Sequence, residues 1–497
     1  MFRLEEEAMP AYSLNPHANE ALYQQLYRHL REDISSGRLA TGQRLPSKRR
    51  LSADLGISVV TVETALGQLA AEGWVKAKPR SGYYVCRIET ANMPGAGEAD
   101  AQALSHYTRP QPAAVSKQAA FPQLFTYDLA ANKVSAETFP LKQWTRTVRA
   151  VMAQEPEDEL IEAGDPCGSP LLRQAIASHL QDTRDLFVDP DRIVVGAGAQ
   201  TLYNLLVQLL GRDRAYAVED PGYPTLSRVY QVNGAHVEYL PVEPGGIHMD
   251  ALTTGKASVA HVMPSHQFPT GRVMPVSERY DLLAWASETP DAQGRNRYII
   301  EDDYDSELRL QGRPVPALKS IDALGRVIYA NTFTRSLAPG LRIAYMVLPP
   351  QLMDRYRREL DFYSCTVPNI TQLALARFIM DGSLSRHIAR VRSASRKVRD
   401  SFIDTLQTDC PQVTEFYGDD AGLHFMMRIE GSSDEEVIQR AADAGIRLKP
   451  LAAYSILCTR EDGATRVNVQ HWFPVSFASL TVNQAHDAAR RLAACLC

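Results

Sequence analysis

The chain has 497 residues, 45% apolar and 22% charged, as in a globular protein long enough for two or more cores. No apolar run approaches the roughly 20 residues of a spanning helix, and Met1 to Tyr12 is acidic where a signal peptide is basic and then apolar. Nothing in these features points to a membrane or to secretion, and the cytoplasm is the expected location.

The net charge of -5 divides unevenly: Glu20 to Arg87 holds eleven Lys or Arg against six Asp or Glu, leaving that stretch near +5 and the remainder near -10. A basic N-terminal segment is what a nucleic-acid module would present. The seven cysteines, Cys86, Cys167, Cys365, Cys410, Cys458, Cys495 and Cys497, lack metal-ligand spacing. They read as free thiols of a reducing compartment, and no metal site is expected.

Leu22, Leu26, Tyr27, Leu30 and Ile34 recur at spacings of three, four and seven, which predicts an amphipathic helix over Ala21 to Ser35 that Gly37 ends. Pro46 and Ser47 open a second helix through Leu51 and Leu55, with Ser47 as N-cap and Gly56 as stop. Ser58 caps a third, in which Val62, Leu66 and Leu69 face inward and which Gly73 closes. Val75 to Ala77 and Tyr83 to Arg87 read as strands joined by a basic tip, Lys78-Pro79-Arg80-Ser81-Gly82. Three helices and a hairpin make a winged helix-turn-helix (α+β) over residues 13–88.

Residues 89–120 are rich in Ala, Gly, Pro, Ser and Gln and are expected to be a flexible linker. From residue 121 to 497, helical patterns such as Leu171 to Gln181 and Thr201 to Leu210 alternate with short apolar runs. These runs are Ile193 to Val195, Ala215 to Val218, Val259 to Met263, Ile299 to Ile300 and Val327 to Ala330. The alternation predicts an α/β domain with a largely parallel sheet.

Leu45-Pro46-Ser47-Lys48-Arg49, Leu55-Gly56-Ile57-Ser58, Thr61-Val62, Glu72-Gly73 and Ser81-Gly82-Tyr83-Tyr84-Val85 together resemble the GntR-type DNA-binding domain. The resemblance implies that the third helix enters the major groove of double-stranded operator DNA and the wing lies on the minor groove or backbone. Lys48, Arg49, Lys78 and Arg80 can neutralise phosphates, and Ser47, Ser58 and Thr61 can donate to phosphate oxygens or base edges, beside the wing residue Gly82. The family commonly has Arg where this chain has Val59, which can touch a thymine methyl but makes no bidentate contact with guanine.

Val194-Val195-Gly196-Ala197-Gly198-Ala199-Gln200, Glu219-Asp220-Pro221-Gly222-Tyr223, Met263-Pro264-Ser265-His266-Gln267-Phe268-Pro269-Thr270-Gly271, Ile300-Glu301-Asp302-Asp303-Tyr304 and Thr332-Phe333-Thr334-Arg335-Ser336-Leu337-Ala338-Pro339-Gly340-Leu341-Arg342 follow one another in the order of fold-type I enzymes that use pyridoxal phosphate (PLP). With the N-terminal domain, they resemble the MocR group of bacterial regulators over nearly the whole chain. The resemblance implies a PLP-dependent transferase-like (fold type I) domain that binds an effector and pairs head to tail as a homodimer. It also assigns residues to the cofactor: Ala199, Gln200, Thr332 and Arg342 for the phosphate, Tyr223 for the ring face, Asp302 for the pyridine nitrogen and Tyr304 for the ring hydroxyl. Arg466 matches an arginine that clamps a substrate carboxylate.

One position departs decisively. Where the family carries its Schiff-base lysine this chain has Arg335, and a guanidinium stays protonated and is a poor carbonyl nucleophile. Ala163 stands where a Tyr is usual, and Ala131 to Lys133 lacks an expected Gly. The expectation is a transcriptional regulator that senses a small amine, amino acid or PLP-like metabolite. No catalytic residue is assigned, and any PLP is held noncovalently. The competing readings are a PLP-dependent aminotransferase fused to a DNA-binding domain, a purely structural dimerisation domain, and a pocket in which Arg335 clamps an anion.

Overall fold

The computed structural model describes residues 12–16, 18, 20–79, 81–87, 125–130, 138–243, 246–312, 315–459 and 469–496. The chain forms two compact units that divide between Ala120 and Phe121. The expected linker at 89–120 lies outside the described residues.

The first unit contains α1 (Leu22–Ser35), α2 (Lys48–Leu55), α3 (Val59–Ala71), β1 (Val75–Lys78) and β2 (Gly82–Val85). Leu26, Leu30, Val62, Ala65, Leu66 and Leu69 are fully buried together. Each such Leu or Val contributes about 1.5–3 kcal/mol relative to an exposed one. Gly56 ends α2 in the left-handed conformation, φ +66°. Gly73 closes α3 as expected, at φ +80°, whereas two strands differ at their ends: β1 runs to Lys78 rather than Ala77, and β2 is Gly82–Val85 rather than Tyr83 to Arg87. The hairpin register explains the latter, because Val85 already pairs with Val75, the first residue of β1.

The second unit begins with β3 (Tyr127–Asp128) and is centred on β4 (Ile193–Gly196), β5 (Ala215–Asp220), β6 (His236–Glu243), β7 (Gly246–Ile247), β8 (Ala257–Val262), β9 (Tyr298–Asp302), β10 (Val327–Thr332) and β11 (Ala344–Val347). They form one sheet in the order β4-β11-β10-β9-β8-β5-β6-β7. The inner pairs β10/β9, β9/β8, β8/β5 and β5/β6 are parallel, as the alternation predicts. Toward the edges the sheet turns antiparallel: β11 opposes both β10 and β4, and β7 opposes β6. The segment from Phe333 to Ile343 is too short for a parallel crossover, so the chain leaving β10 must return antiparallel.

A smaller antiparallel sheet, β12 (Val413–Tyr417), β13 (His424–Ile429) and β15 (Trp472–Ser476), was not anticipated, and neither was the parallel pair of β14 (Ile446–Arg447) with β3. Helices Ser383–Asp409 and Val482–Leu496 cover this region through Phe402, Leu406, Ala489 and Leu492. Among the described residues no helix is long and apolar enough to cross a membrane.

Candidate functional sites

In the winged unit, Ser47 Oγ accepts from Arg50 N at 3.3 Å and Ser58 Oγ from Thr61 N at 3.1 Å, so both serines cap the helices they precede. Acceptance leaves each hydroxyl hydrogen for another oxygen; Ser58 Oγ also lies 2.8 Å from Thr61 Oγ1. On α3, Val59 is 40% and Val60 70% exposed, an apolar first turn that packing does not account for. Lys48 differs from expectation: it forms an ion pair with Glu63 of α3 and lies 5.7 Å from the Tyr83 ring centroid, so any phosphate must compete with that carboxylate. Lys78 sits over Tyr84 at 4.5 Å, and Gly82 has φ +107°, a conformation that suits only glycine at the wing. Arg49 is exposed. Arg80 lies outside the described residues.

In the large unit, a cavity of about 160 Å³ is lined by Ala199, Gln200, Tyr223, Asp302, Tyr304, Thr332, Arg335 and Arg342. These are the eight positions singled out above, and Tyr203, Met263, Phe268 and Thr334 complete the wall. The cavity lies at the carboxyl ends of β4, β5, β9 and β10, where α/β sheets leave a crevice. Arg466 lies outside the described residues, as do Ala131 to Lys133.

One end of the cavity suits an anion. Helix Ala199–Leu210 presents its N-terminal N–H groups there after Gly198, whose φ is +91°. A Cβ at Gly198 would collide with Arg342 Nη2, so the guanidinium packs directly on bare backbone. Arg342 is itself left-handed, φ +53°, and Nη2 donates to Ala197 O at 3.4 Å. Thr332 and Thr334 bring hydroxyls 2.7 Å apart to the same wall, with Thr332 capping the short helix Phe333–Ser336.

The other end holds a buried carboxylate. Asp302 Oδ2 accepts from Tyr203 OH at 2.6 Å and lies 3.4 Å from His261 Nε2, while Tyr230 OH is 2.6 Å from His261 Nδ1. A phenol and an imidazole thus hold Asp302 in place at the cavity wall. Tyr203 is four residues after Ala199 on the same helix face, the helical spacing by which it could have been found. Burial, then Asp302, pushes the Tyr203 phenol well up, which keeps it a hydrogen donor. Tyr304 is pushed up likewise, by burial and then Asp305, and its OH lies 3.2 Å from His266 Nδ1.

Arg335 is 5% exposed. Burial pulls its pKa down, and Asp305, Tyr304 and Tyr223 act in the opposite direction. Tyr223 is 38% exposed at the mouth, edge-on to Phe268 with centroids 6.1 Å apart. Below it, Glu219 accepts from Met263 N at 3.1 Å, and burial raises its carboxyl to about 8.

Residues 22–85 match the model of bacterial regulatory proteins of the gntR family, and residues 128–492 match aminotransferase class I and II. The "Uncharacterized HTH-type transcriptional regulator YhdI" of Bacillus subtilis is 35% identical over 88% of this chain and 90% of its own. The chain is a MocR-type regulator, a GntR domain fused to an aminotransferase-like domain. The "Probable rhizopine catabolism regulatory protein MocR" of Rhizobium meliloti is 31% identical over 91% of this chain and 90% of its own. For the large domain of this regulator, the kynurenine aminotransferase of Pyrococcus horikoshii shares the fold, with TM-score 0.63 and 22% identity over 76% of this chain and 91% of that one.

Proposed function

We propose that this regulator senses a small amine, amino acid or PLP-like metabolite in the large-unit cavity and converts occupancy into a change in operator binding. The observation that carries the reading is the two-ended chemistry of the cavity. Gly198, Arg342 and a helix N-terminus form an anion cradle at one end, and Tyr203 holds the buried Asp302 at the other.

Those residues fit PLP. The Pyrococcus enzyme is described in complex with PMP, the amine form of that cofactor. In this chain Ala199, Gln200, Thr332 and Arg342 would receive the phosphate, Tyr223 the ring face, Tyr304 the ring hydroxyl and Asp302 the ring nitrogen. When bound in an enzyme, PLP supplies an electron sink for amino-acid chemistry. Asp302 would pair with a protonated ring nitrogen, with Tyr203 and His261 fixing its orientation. Arg335 stays protonated at neutral pH and so neither attacks a carbonyl nor relays a proton; the cavity therefore binds without transaminating, and the ligand is held noncovalently.

Arg466 is proposed as a carboxylate clamp for the effector, and Ser47, Arg49, Ser58, Val59, Thr61, Lys78, Arg80 and Gly82 as the DNA-contacting set, with Lys48 joining on release from Glu63. The regulator acts in the cytoplasm as a head-to-tail homodimer, so that two winged helices address two half-sites.

The test is an absorbance spectrum of the full-length protein with and without added PLP, followed by borohydride reduction and intact mass, beside Arg335→Lys. A PLP-dependent spectral change without a reduced adduct in the natural protein, and with one in Arg335→Lys, is expected. A reduced adduct in the natural protein, or turnover of amino acids with 2-oxoacids, contradicts noncovalent sensing.

A further inference from the structure

Beside the cavity, His266, Asp305 and His424 form a buried cluster, each 2–3% exposed. His266 follows β8 and His424 opens β13, so no spacing rule connects them in sequence. Their hydrogen bonds fix both imidazole tautomers. His266 Nδ1 lies 2.9 Å and 3.1 Å from the two Asp305 oxygens, and His424 Nε2 lies 3.1 Å from Pro269 O. Carboxylate and carbonyl oxygens only accept, so each of those ring nitrogens carries the hydrogen.

The remaining nitrogens, His266 Nε2 and His424 Nδ1, are therefore lone pairs. Neither has a hydrogen-bond partner among the described residues, although both are buried. The two rings are 4.7 Å apart between centroids. One nitrogen of each, with one Asp305 oxygen, lies within 4.8 Å of the others. Gly422 makes room for the His266–Asp305 pair, because a Cβ there would collide with His266 Cε1 and Asp305 Oδ2. A buried acceptor left without a donor is costly, and an ion held by both rings would satisfy the two at once.

We propose that His266, His424 and Asp305 form a binding site for one divalent transition-metal ion of the zinc class. His266 Nε2 and His424 Nδ1 are the nitrogen ligands. Asp305 holds the Nδ1–H of His266, an arrangement that orients the ring and strengthens it as a donor, and water completes the coordination. Imidazole donors favour zinc, cobalt or nickel over magnesium and calcium, which require oxygen cages. Arg335 is the cation that bears on His424 and opposes a second positive charge. The negative charge of Asp305 offsets it.

The test uses the full-length protein freed of metal with EDTA, then equilibrium dialysis against zinc or cobalt(II) with metal analysis and visible spectra. The expected result is a single ion per chain and a cobalt spectrum without a thiolate charge-transfer band. His266→Gln and His424→Gln should each lose binding, with melting in EDTA unchanged. Asp305→Asn, which keeps the ligands but weakens their orientation, should bind about 10- to 100-fold more weakly. Absence of stoichiometric metal overturns the proposal and leaves water bridging the two lone pairs. Binding that survives both histidine substitutions, or that shows a thiolate band, also overturns it by placing the metal at cysteines.

Discussion

In the winged unit, Ser47 and Ser58 cap the helices they themselves begin, and Val62, Leu66 and Leu69 bury one face of a single helix. In the large unit, Gly198 is shaped to Arg342, Tyr203 to Asp302 and His266 to His424, partners that lie far apart in the chain. The first unit places its functional surface by local propensity. The second places its functional surface by the convergence of strand ends, so one wrong contact removes a whole end of the cavity.

Substitution at Gly198 breaks that comparison most sharply. Gly198→Ala puts a Cβ against the Arg342 guanidinium at a φ of +91°. It should weaken binding of PLP or another anionic ligand by at least about tenfold and destabilise the large unit by about 1–2 kcal/mol. Ligand titration and thermal melting measure both; unchanged affinity would remove the anion cradle from the account.

An intermediate effect is expected at Glu219, whose buried carboxyl is raised from 4.5 to about 8. Between those values the folded chain holds a proton that the unfolded chain has lost, so stability falls as pH rises, by up to about 1.4 kcal/mol per unit. Glu219→Gln keeps an acceptor for Met263 N and removes this loss. Melting profiles of the two proteins should diverge progressively from pH 5 to pH 8, with the variant more stable; parallel profiles would contradict the burial effect.

The smallest effect belongs to the winged unit. Gly67 lies within α3 with nothing within 4 Å of its Cβ position. Gly67→Ala should therefore stabilise that unit by about 0.5–1 kcal/mol, the opposite sign to Gly198→Ala. A loss of stability would show that packing, not propensity, governs this helix.

The same contrast explains what could be read from sequence. Caps, stops and the 3.6-residue stripe of the winged unit are local, and among its strands only the ends of β1 and β2 shifted. The parallel strands β5, β8, β9 and β10 were visible as apolar runs, β6 with its mixed His236-Val237-Glu238 start was not, and eight cavity positions were visible through motif order. Tyr203 was missed because its importance lies in its contact with Asp302, a residue of a distant segment. The small sheet was missed because His424-Phe425-Met426-Met427 shows no alternation and Pro474 interrupts Trp472–Ser476. The capture of Lys48 by Glu63 joins two helices, and no single-helix pattern announces it.

The most direct measurement is the affinity of the full-length regulator for DNA fragments it selects from its own genome. Fluorescence anisotropy at fixed salt would compare binding with and without PLP and a panel of amines and amino acids, each first shown to bind the protein. The account predicts that at least one ligand shifts DNA affinity roughly 5- to 150-fold, and that Gly198→Ala blunts the shift for anionic ligands. Identical DNA affinity with every bound ligand would contradict coupling between the cavity and the winged helix.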